Sequence, residues 1–486
     1  MKMTFSSRWA MFLAMLGMAV GTGNIWRFPR IAATNGGGSF LVAWVVFLLL
    51  WSVPLILVEF AMGKATRYGS IGAFARIMGR KYAWMGAWVA WTAIAIMFYY
   101  AVVAGWTIRY TFAALLGELS NADPGAVWEG FAFTPSAALF QAVAFGLGII
   151  VVARGVRGIE AATRILIPSL FVLVLVLAVR AVTLPGAERG LNFLFTPDWA
   201  ALRNPEIWLQ ALTQNAWDTG AGWGLILTYA IYLRKTEDTA LNAFMLGFGN
   251  NTVSLLAGIM VLCTVFSLMP NAADQIVGAG NEGLTFIWVP QLFALMPGGR
   301  FFMVLFFLAL FFAAWTSLIS MIELTTRVLA DGGMARRNAL VLVGIVGFLA
   351  GVPSALNADF FANQDFVWGV GLMVSGLFFA IAVLRYGVTR FRETLINTPY
   401  SDIRIGAWWD WAIRLVVVEA LVLIVWWFWN VREEALWDAF GIGWLVVQFA
   451  IALVVFLVLN RWMVRKTNPE VDRGAPPEGE MVSSIP

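Results

Sequence analysis

The sequence predicts an all-α membrane protein of about twelve transmembrane helices. Three observations carry this. Hydrophobic residues make up 61% of the 486-residue chain, charged residues only 12%, and mean hydropathy is +0.80. Apolar stretches of about 20 residues, the length that crosses a bilayer core of about 30 Å, recur from end to end. The loops between them alternate between basic and acidic.

The spans are expected near residues 11–33, 40–61, 82–116, 137–152, 165–182, 208–233, 244–269, 300–329, 340–352, 366–384, 411–429 and 443–462. The first begins too near the N-terminus, and holds too much Gly and Asn, for a cleaved signal peptide. Lys2 and Arg8 precede span one; Lys64, Arg67, Arg76, Arg80 and Lys81 follow span two; Arg154, Arg157 and Arg164 follow span four. Arg234 and Lys235 follow span six, Arg336 and Arg337 span eight, Arg385, Arg390 and Arg392 span ten, and Arg461, Arg465 and Lys466 span twelve. The opposite loops carry Glu118, Asp123, Glu129, Asp274, Glu282, Asp359, Asp365, Glu433 and Glu434. Cytoplasmic loops are the basic ones, so both termini are expected in the cytoplasm, at the inner membrane of a cell. The net charge of +4 is then a topology signal. No nucleic acid is expected as a partner, because its basic contacts would cluster on one soluble face.

There is one cysteine, Cys263, and no histidine. A disulfide within the chain, imidazole or thiolate metal sites, and Ser-His or Cys-His catalysis are excluded. The tail, residues 468–486, is rich in Pro, Glu, Gly and Ser and is expected to be disordered.

Two spans are interrupted. Ala19-Val-Gly-Thr-Gly-Asn-Ile-Trp-Arg-Phe-Pro places Gly21 and Gly23 inside the first. Gln214-Asn-Ala-Trp-Asp-Thr-Gly-Ala-Gly-Trp-Gly places Gly220, Gly222 and Gly224 inside the sixth. Unpaired backbone groups in hydrocarbon cost several kcal/mol each, so such a break must line an enclosed cavity. Glycines in membrane helices also serve close packing. Two clusters five spans apart, each beside a polar residue (Asn24, Asp218), favour the other reading: an inverted repeat with an ion and substrate site at its interface. The halves are 1–183 and 184–390, followed by spans eleven and twelve in 391–467.

These residues resemble the neurotransmitter:sodium symporter family, whose bacterial members include the LeuT-type amino-acid transporters. The resemblance covers nearly the whole chain. It rests on Gly21-Thr-Gly-Asn-Ile-Trp-Arg-Phe-Pro, Asn35-Gly-Gly-Gly-Ser-Phe, Val58-Glu-Phe-Ala-Met-Gly, Tyr99-Tyr100, Gly222-Trp-Gly-Leu-Ile-Leu-Thr-Tyr and Phe312-Ala-Ala-Trp-Thr-Ser. It implies a 5+5 inverted repeat, two Na⁺ sites and an amino-acid-like substrate.

By that resemblance, one Na⁺ site falls on the carbonyls of Gly17, Val20 and Ala313 with the hydroxyls of Thr316 and Ser317. Oxygen ligands suit a hard cation, although such hydroxyls also bond back to their own helix. The other site falls on the Ala19 carbonyl, Asn24, Asp218 and Asn250. Here the sequence departs from the family. Chloride-independent members carry a carboxylate where this chain has Ser254; the chloride-holding tyrosine is Trp44; and Asp218 replaces a hydroxyl residue. The expectation is that Asp218 supplies the fixed anion and makes transport chloride-independent. A contact with a cationic substrate group is the other functional reading. An intramembrane carboxylate is costly enough that a merely structural role is the weaker one.

The resemblance places the substrate among Met18, Ile96, Tyr100, Trp217, Gly220, Trp223, Ser317 and Met321. The amides of Gly21, Thr22 and Gly23 open a half-helix and suit a carboxylate, while the carbonyls of Ala19, Trp217 and Asp218 suit an amine. Monoamine-transporting relatives have Asp at the position of Gly21, so the glycine argues for a substrate that brings its own carboxylate. An outer gate falls on Arg27 and Asp365, over a lid of Tyr100 and Trp217. An inner gate falls on Lys2 and Asp331, with Tyr232 and Glu323 nearby. Glu59 is expected to support the unwound part of span six. The function expected is Na⁺-coupled uptake of an amino acid or a close relative. The alternatives are a transport-dead sensor, a channel, or a membrane enzyme, the last opposed by the absence of any catalytic cluster.

Overall fold

The computed structural model describes residues 4–468, and among these every regular element is helical. The chain opens with α1 (Arg8–Ala19), capped by Ser7, whose hydroxyl accepts from the Ala10 amide (3.1 Å). The helix stops at Val20. It resumes, after a wide turn over Gly23–Arg27, as α2 (Phe28–Thr34), and the two halves are bent by 56°. There follow α3 (Gly38–Thr66), α4 (Arg80–Leu116), α5 (Pro135–Ala153) and α6 (Val156–Val182). Next come two short pieces, α7 (Pro205–Asp218) and α8 (Leu225–Ala230). The rest are α9 (Thr239–Leu268), α10 (Gly299–Asp331), α11 (Arg336–Leu356), α12 (Ala358–Tyr386), α13 (Trp408–Asn430) and α14 (Ile442–Thr467).

Among the described residues ten helices are long and apolar enough to cross a membrane, or eleven if α1 and α2 count as one span. The stretch expected as the sixth span, 208–233, is absent from that count because it is divided at Thr219–Gly224 into two pieces that are each too short. Gly220, Gly222 and Gly224 all take positive φ (69°, 87° and 77°). A side chain there would meet the left-handed penalty of about 1–2 kcal/mol per residue, so glycine is what lets this segment unwind.

α10 and α4 form the central pair, with α5, α11 and α12 against α4 and α1 wedged between α6 and α10. Side chains that face outward on α5, α6, α11, α13 and α14 are large and apolar, as a lipid-facing wall requires. Asn468, expected in the disordered tail, is buried: its amide donates to the Gly72 carbonyl (2.9 Å) and its oxygen accepts from Arg76 (3.1 Å). The ordered fold therefore runs one residue further than expected, and the rest of the tail lies outside the described residues.

Candidate functional site

The two breaks meet. A Cβ built on Gly220 would stand 3.7 Å from the Ala19 Cα, and one on Gly23 would stand 3.8 Å from the Asp218 Cβ. One cavity runs from this meeting point to the side of the molecule that carries the acidic loops. Its floor holds Met18, Ala19, Gly21, Thr22, Gly23, Asn24, Ile96, Tyr100, Trp217, Asp218, Gly220, Trp223, Ser317 and Met321, and its upper part Arg27, Arg30, Glu282 and Asp365. All thirteen residues expected around the substrate line it.

The Thr22 amide and hydroxyl both donate to the Tyr100 oxygen (3.1 and 3.3 Å). The tyrosine O–H is thereby left to donate into the cavity. The Gly21 amide is used internally, by the Asn24 side-chain oxygen (2.8 Å), which caps the half-helix. That corrects the expectation of three amides open to ligand: of them, Gly21 is occupied by Asn24 and Thr22 by the Tyr100 oxygen. A Cβ on Gly21 would lie 3.0 Å from both the Ser317 Oγ and the Tyr100 Oη, so only glycine keeps this corner open.

Asn24 also binds the expected partners on α9. Its amide nitrogen donates to Asn250 Oδ1 (3.0 Å) and to Ser254 Oγ (2.8 Å). Ser254 in turn donates to Asp218 Oδ2 (3.2 Å), which also accepts from Gln214 Nε2 (3.1 Å). Asp218 Oδ1 is buried and has no hydrogen-bond partner. A buried carboxylate oxygen left bare is costly, and a cation beside it removes that cost. Asn24, Asn250, Ser254 and Asp218 thus form one hydrogen-bonded cluster that leaves a carboxylate oxygen orphaned, and Ala19 lines the same cavity; oxygen groups of this kind suit a hard cation.

At the other expected ion site, Ser317 donates from Oγ to the carbonyls of Met18 (3.3 Å) and Val20 (3.2 Å), joining α10 to the end of α1. Gly17 lies close to Thr316, the Cβ it lacks falling 3.3 Å from the Thr316 Cβ. Thr316 donates to its own helix, to the carbonyls of Phe312 (2.8 Å) and Ala313 (3.2 Å). Its oxygen lone pairs remain available to a cation. Clusters of three or more His, Cys, Asp or Glu are absent among the described residues, so apart from the Asp218 carboxylate the oxygens gathered here are carbonyl, hydroxyl and amide.

The expected outer gate is not formed. Arg27 donates to Gln214 Oε1 (2.8 Å) and lies over the Trp217 ring (5.4 Å), and no ion pair to Asp365 exists among the described residues. Both residues line the upper cavity with space between them, which is why it opens to the acidic side. The opposite side is closed. Lys2 lies outside the described residues. Asp331 instead pairs with Arg327 (2.8 Å) and accepts from the Gly69 amide (2.7 Å). Glu323 pairs with Arg336 (2.5 Å) and accepts from the Tyr232 hydroxyl (2.6 Å). The Phe5 amide donates to the Tyr232 carbonyl (3.1 Å), and Arg67 to the Ile231 carbonyl (2.7 Å). Arg67 and Arg336 were missed as participants, and Gln214 as the partner of Arg27. Arg336 opens the helix that directly follows Asp331, a spacing that could have pointed to it.

Glu59 sits where expected. Its two oxygens accept from the amides of Gly222 (2.7 Å) and Leu227 (3.0 Å), so one carboxylate ties the unwound segment to the first turn of α8.

Known proteins share this chain's sequence and fold. The chain is 31% identical over 442 residues to the uncharacterized sodium-dependent transporter YhdH of Bacillus subtilis, covering 86% of this chain and 96% of that one. It is 30% identical over 443 residues to an uncharacterized sodium-dependent transporter of Methanocaldococcus jannaschii, covering 87% and 89%. Among solved structures it resembles MhsT in complex with L-phenylalanine, with a TM-score of 0.77 at 29% identity over 87% of this chain and 99% of that one. The model of the sodium:neurotransmitter symporter family matches residues 2–136 and 134–468. With that match along almost its whole length, the chain belongs to the sodium:neurotransmitter symporter family, and is a multi-pass, sodium-dependent membrane transporter rather than an enzyme.

Proposed function

We propose that this chain is a Na⁺-coupled symporter that takes up an amino acid, or a closely related small molecule bearing a carboxylate, by alternating access and without chloride. The observation that carries the reading is the meeting of two broken helices in one cavity. There the Tyr100 hydroxyl and the Thr22 half-helix face one end of a small zwitterion, and the carbonyl ends of α1 and α7 face the other. Twelve spans follow if α1 with α2 and α7 with α8 each cross once. The repeats are then 1–183 and 184–390, with 391–467 added, and both termini lie in the cytoplasm of the inner membrane. In that orientation the cavity faces outward and the closed side faces in. Two Na⁺ sites bind at the residues grouped above: Ala19, Asn24, Asp218 and Asn250 beside the substrate, and Gly17, Val20, Ala313, Thr316 and Ser317 behind it. When bound, the ions supply fixed positive charge that joins α1 to α9 and to α10.

Uptake into proteoliposomes should therefore require Na⁺. Thr316→Ala combined with Ser317→Ala should raise the Na⁺ concentration for half-maximal uptake about tenfold or more, since two oxygen ligands are lost. Uptake that runs equally well with choline in place of Na⁺ sinks the coupling. Counterflow of labelled substrate separates a carrier from a sensor that binds without transport.

Competition should demand an acid group on the ligand. Decarboxylated analogues should compete at least tenfold more weakly than their parent acids, because a hydrogen bond to a charged group contributes about 1.5–3 kcal/mol. Gly21→Ala should impair wild-type substrate in the same assay, since its methyl fills the corner between Ser317 and Tyr100. An amine that competes as well as its parent acid overturns this.

A further inference from the structure

Helix α12 meets the broken sixth span along one face. Gly369 follows Asp365 by one helical turn, and Gly376 lies two turns further on, so the three share a side of the helix. Asp365 and Gly369 line the central cavity. Gly376 receives the unwound segment, where a Cβ on Gly222 would stand 3.0 Å from the Gly376 Cα. Gly369 receives the Trp217 ring. A Cβ there would fall 2.2 Å from Trp217 Cζ2, 3.0 Å from Cη2 and 3.2 Å from Cε2. These atoms belong to the six-membered half of the indole, which lies in a notch that glycine leaves in the surface of α12.

The notch fixes where the ring stands. Trp217 is the last residue but one of α7, beside the break, and is half-buried. The Arg27 guanidinium lies over its ring (5.4 Å), and Trp223 meets it edge to face (6.2 Å, 74°). Arg27 belongs to the upper cavity and Trp223 to the floor, so the ring stands between the two. Carbon atoms in ordinary contact lie about 3.5–4.0 Å apart. A methyl group at position 369 would therefore drive the ring about 1 Å or more off α12. It would move into the cavity that both residues line.

We propose that Gly369 is a positioning residue for the transport site: it seats the Trp217 indole against α12 and so keeps the way open from the upper cavity to the floor. The proposal rests on the reading of Trp217 as the lid above the substrate, and adds the seat that holds this lid aside. Close packing between membrane helices also favours glycine. The dependence on Trp217 separates the two roles.

The test labels engineered cysteines in the purified full-length protein with a small charged methanethiosulfonate. The native Cys263 is buried and serves as the blank. Met321→Cys reads the floor and Arg30→Cys the upper cavity. G369A should slow labelling at the floor about tenfold, the change to which a typical overpacking cost converts, and leave the upper position unchanged. W217F removes the part of the side chain that fills the notch. G369A/W217F should therefore label at the floor as fast as W217F alone, a full coupling between the two positions. Unchanged floor labelling in G369A overturns the seat. So does an equal slowing at both positions, or a slowing that survives W217F, since either is a fault of α12 itself. If G369A does not fold, G369A/W217F should fold, as read by thermal melting, and label like W217F; a double variant that stays unfolded overturns the pairing. Labelling needs neither substrate nor Na⁺. Uptake that proves independent of Na⁺ would overturn the proposed function and leave the seat standing.

Discussion

Asp218→Ser should lower Na⁺-driven uptake in chloride-free buffer at least tenfold, and added chloride should restore part of it. The wild-type carboxylate accepts from Gln214 and Ser254 through one oxygen and leaves the other buried without a partner. In the family to which the chain belongs, neutral donors of this kind gather around chloride in chloride-dependent members. Here they already grip a carboxylate. Two unit charges 4 Å apart interact by about 4 kcal/mol at an effective dielectric of 20. That is enough to repel a halide from the pocket and to hold a Na⁺ in it. Removing the charge therefore weakens the ion, and a serine recreates a neutral pocket that chloride can enter. Asp218→Asn, which keeps the size and loses the charge, should fall by a similar factor in chloride-free buffer. If wild-type uptake drops sharply when gluconate replaces chloride, Asp218 is not the substitute anion. A direct contact between Asp218 and the substrate then becomes the better account.

Much of this site could be read in the sequence because backbone breaks leave a chemical trace. Gly21-Thr-Gly and Gly220-Ala-Gly-Trp-Gly stand out within apolar runs, and the fold puts them against each other. Intramembrane polar residues are equally conspicuous, so Glu59, Asp218 and Asn250 could be named before any geometry was known. Partners were less legible. Arg27 and Asp365 have the right charges for a gate, yet Arg27 lies against Gln214 and Trp217. Asp331 takes Arg327, one turn earlier on its own helix, over any distant cation. Sequence shows which residues carry charge; which of several partners is met depends on helix rotation and on which side of the cavity is open. The outer half of span one illustrates the same limit. Its Gly21 amide looks available until the fold shows Asn24, three residues on, already bonded to it.

The second large effect is expected at a residue that touches neither substrate nor ion. Glu59→Leu should abolish transport and lower the melting temperature, because Glu59 accepts from the Gly222 amide in the unwound segment and from the Leu227 amide in the first turn of α8. A buried donor left without an acceptor costs about 1–3 kcal/mol, so two amount to about 2–6 kcal/mol. That is comparable to the whole stability margin of many proteins. The segment cannot escape by rewinding into a helix, since the backbone at Gly220, Gly222 and Gly224 is held in left-handed conformations by close packing. A Cβ on Gly222 would already stand 3.0 Å from the Gly376 Cα. Glu59→Gln is the informative companion. Its carbonyl oxygen still accepts from one amide, while its NH₂ group confronts the other with donor against donor. It should fold, melt at a lower temperature than the wild type, and transport at a rate between wild type and Glu59→Leu. Wild-type uptake in Glu59→Leu would mean that the segment finds other acceptors, and that the carboxylate is not what holds the break open.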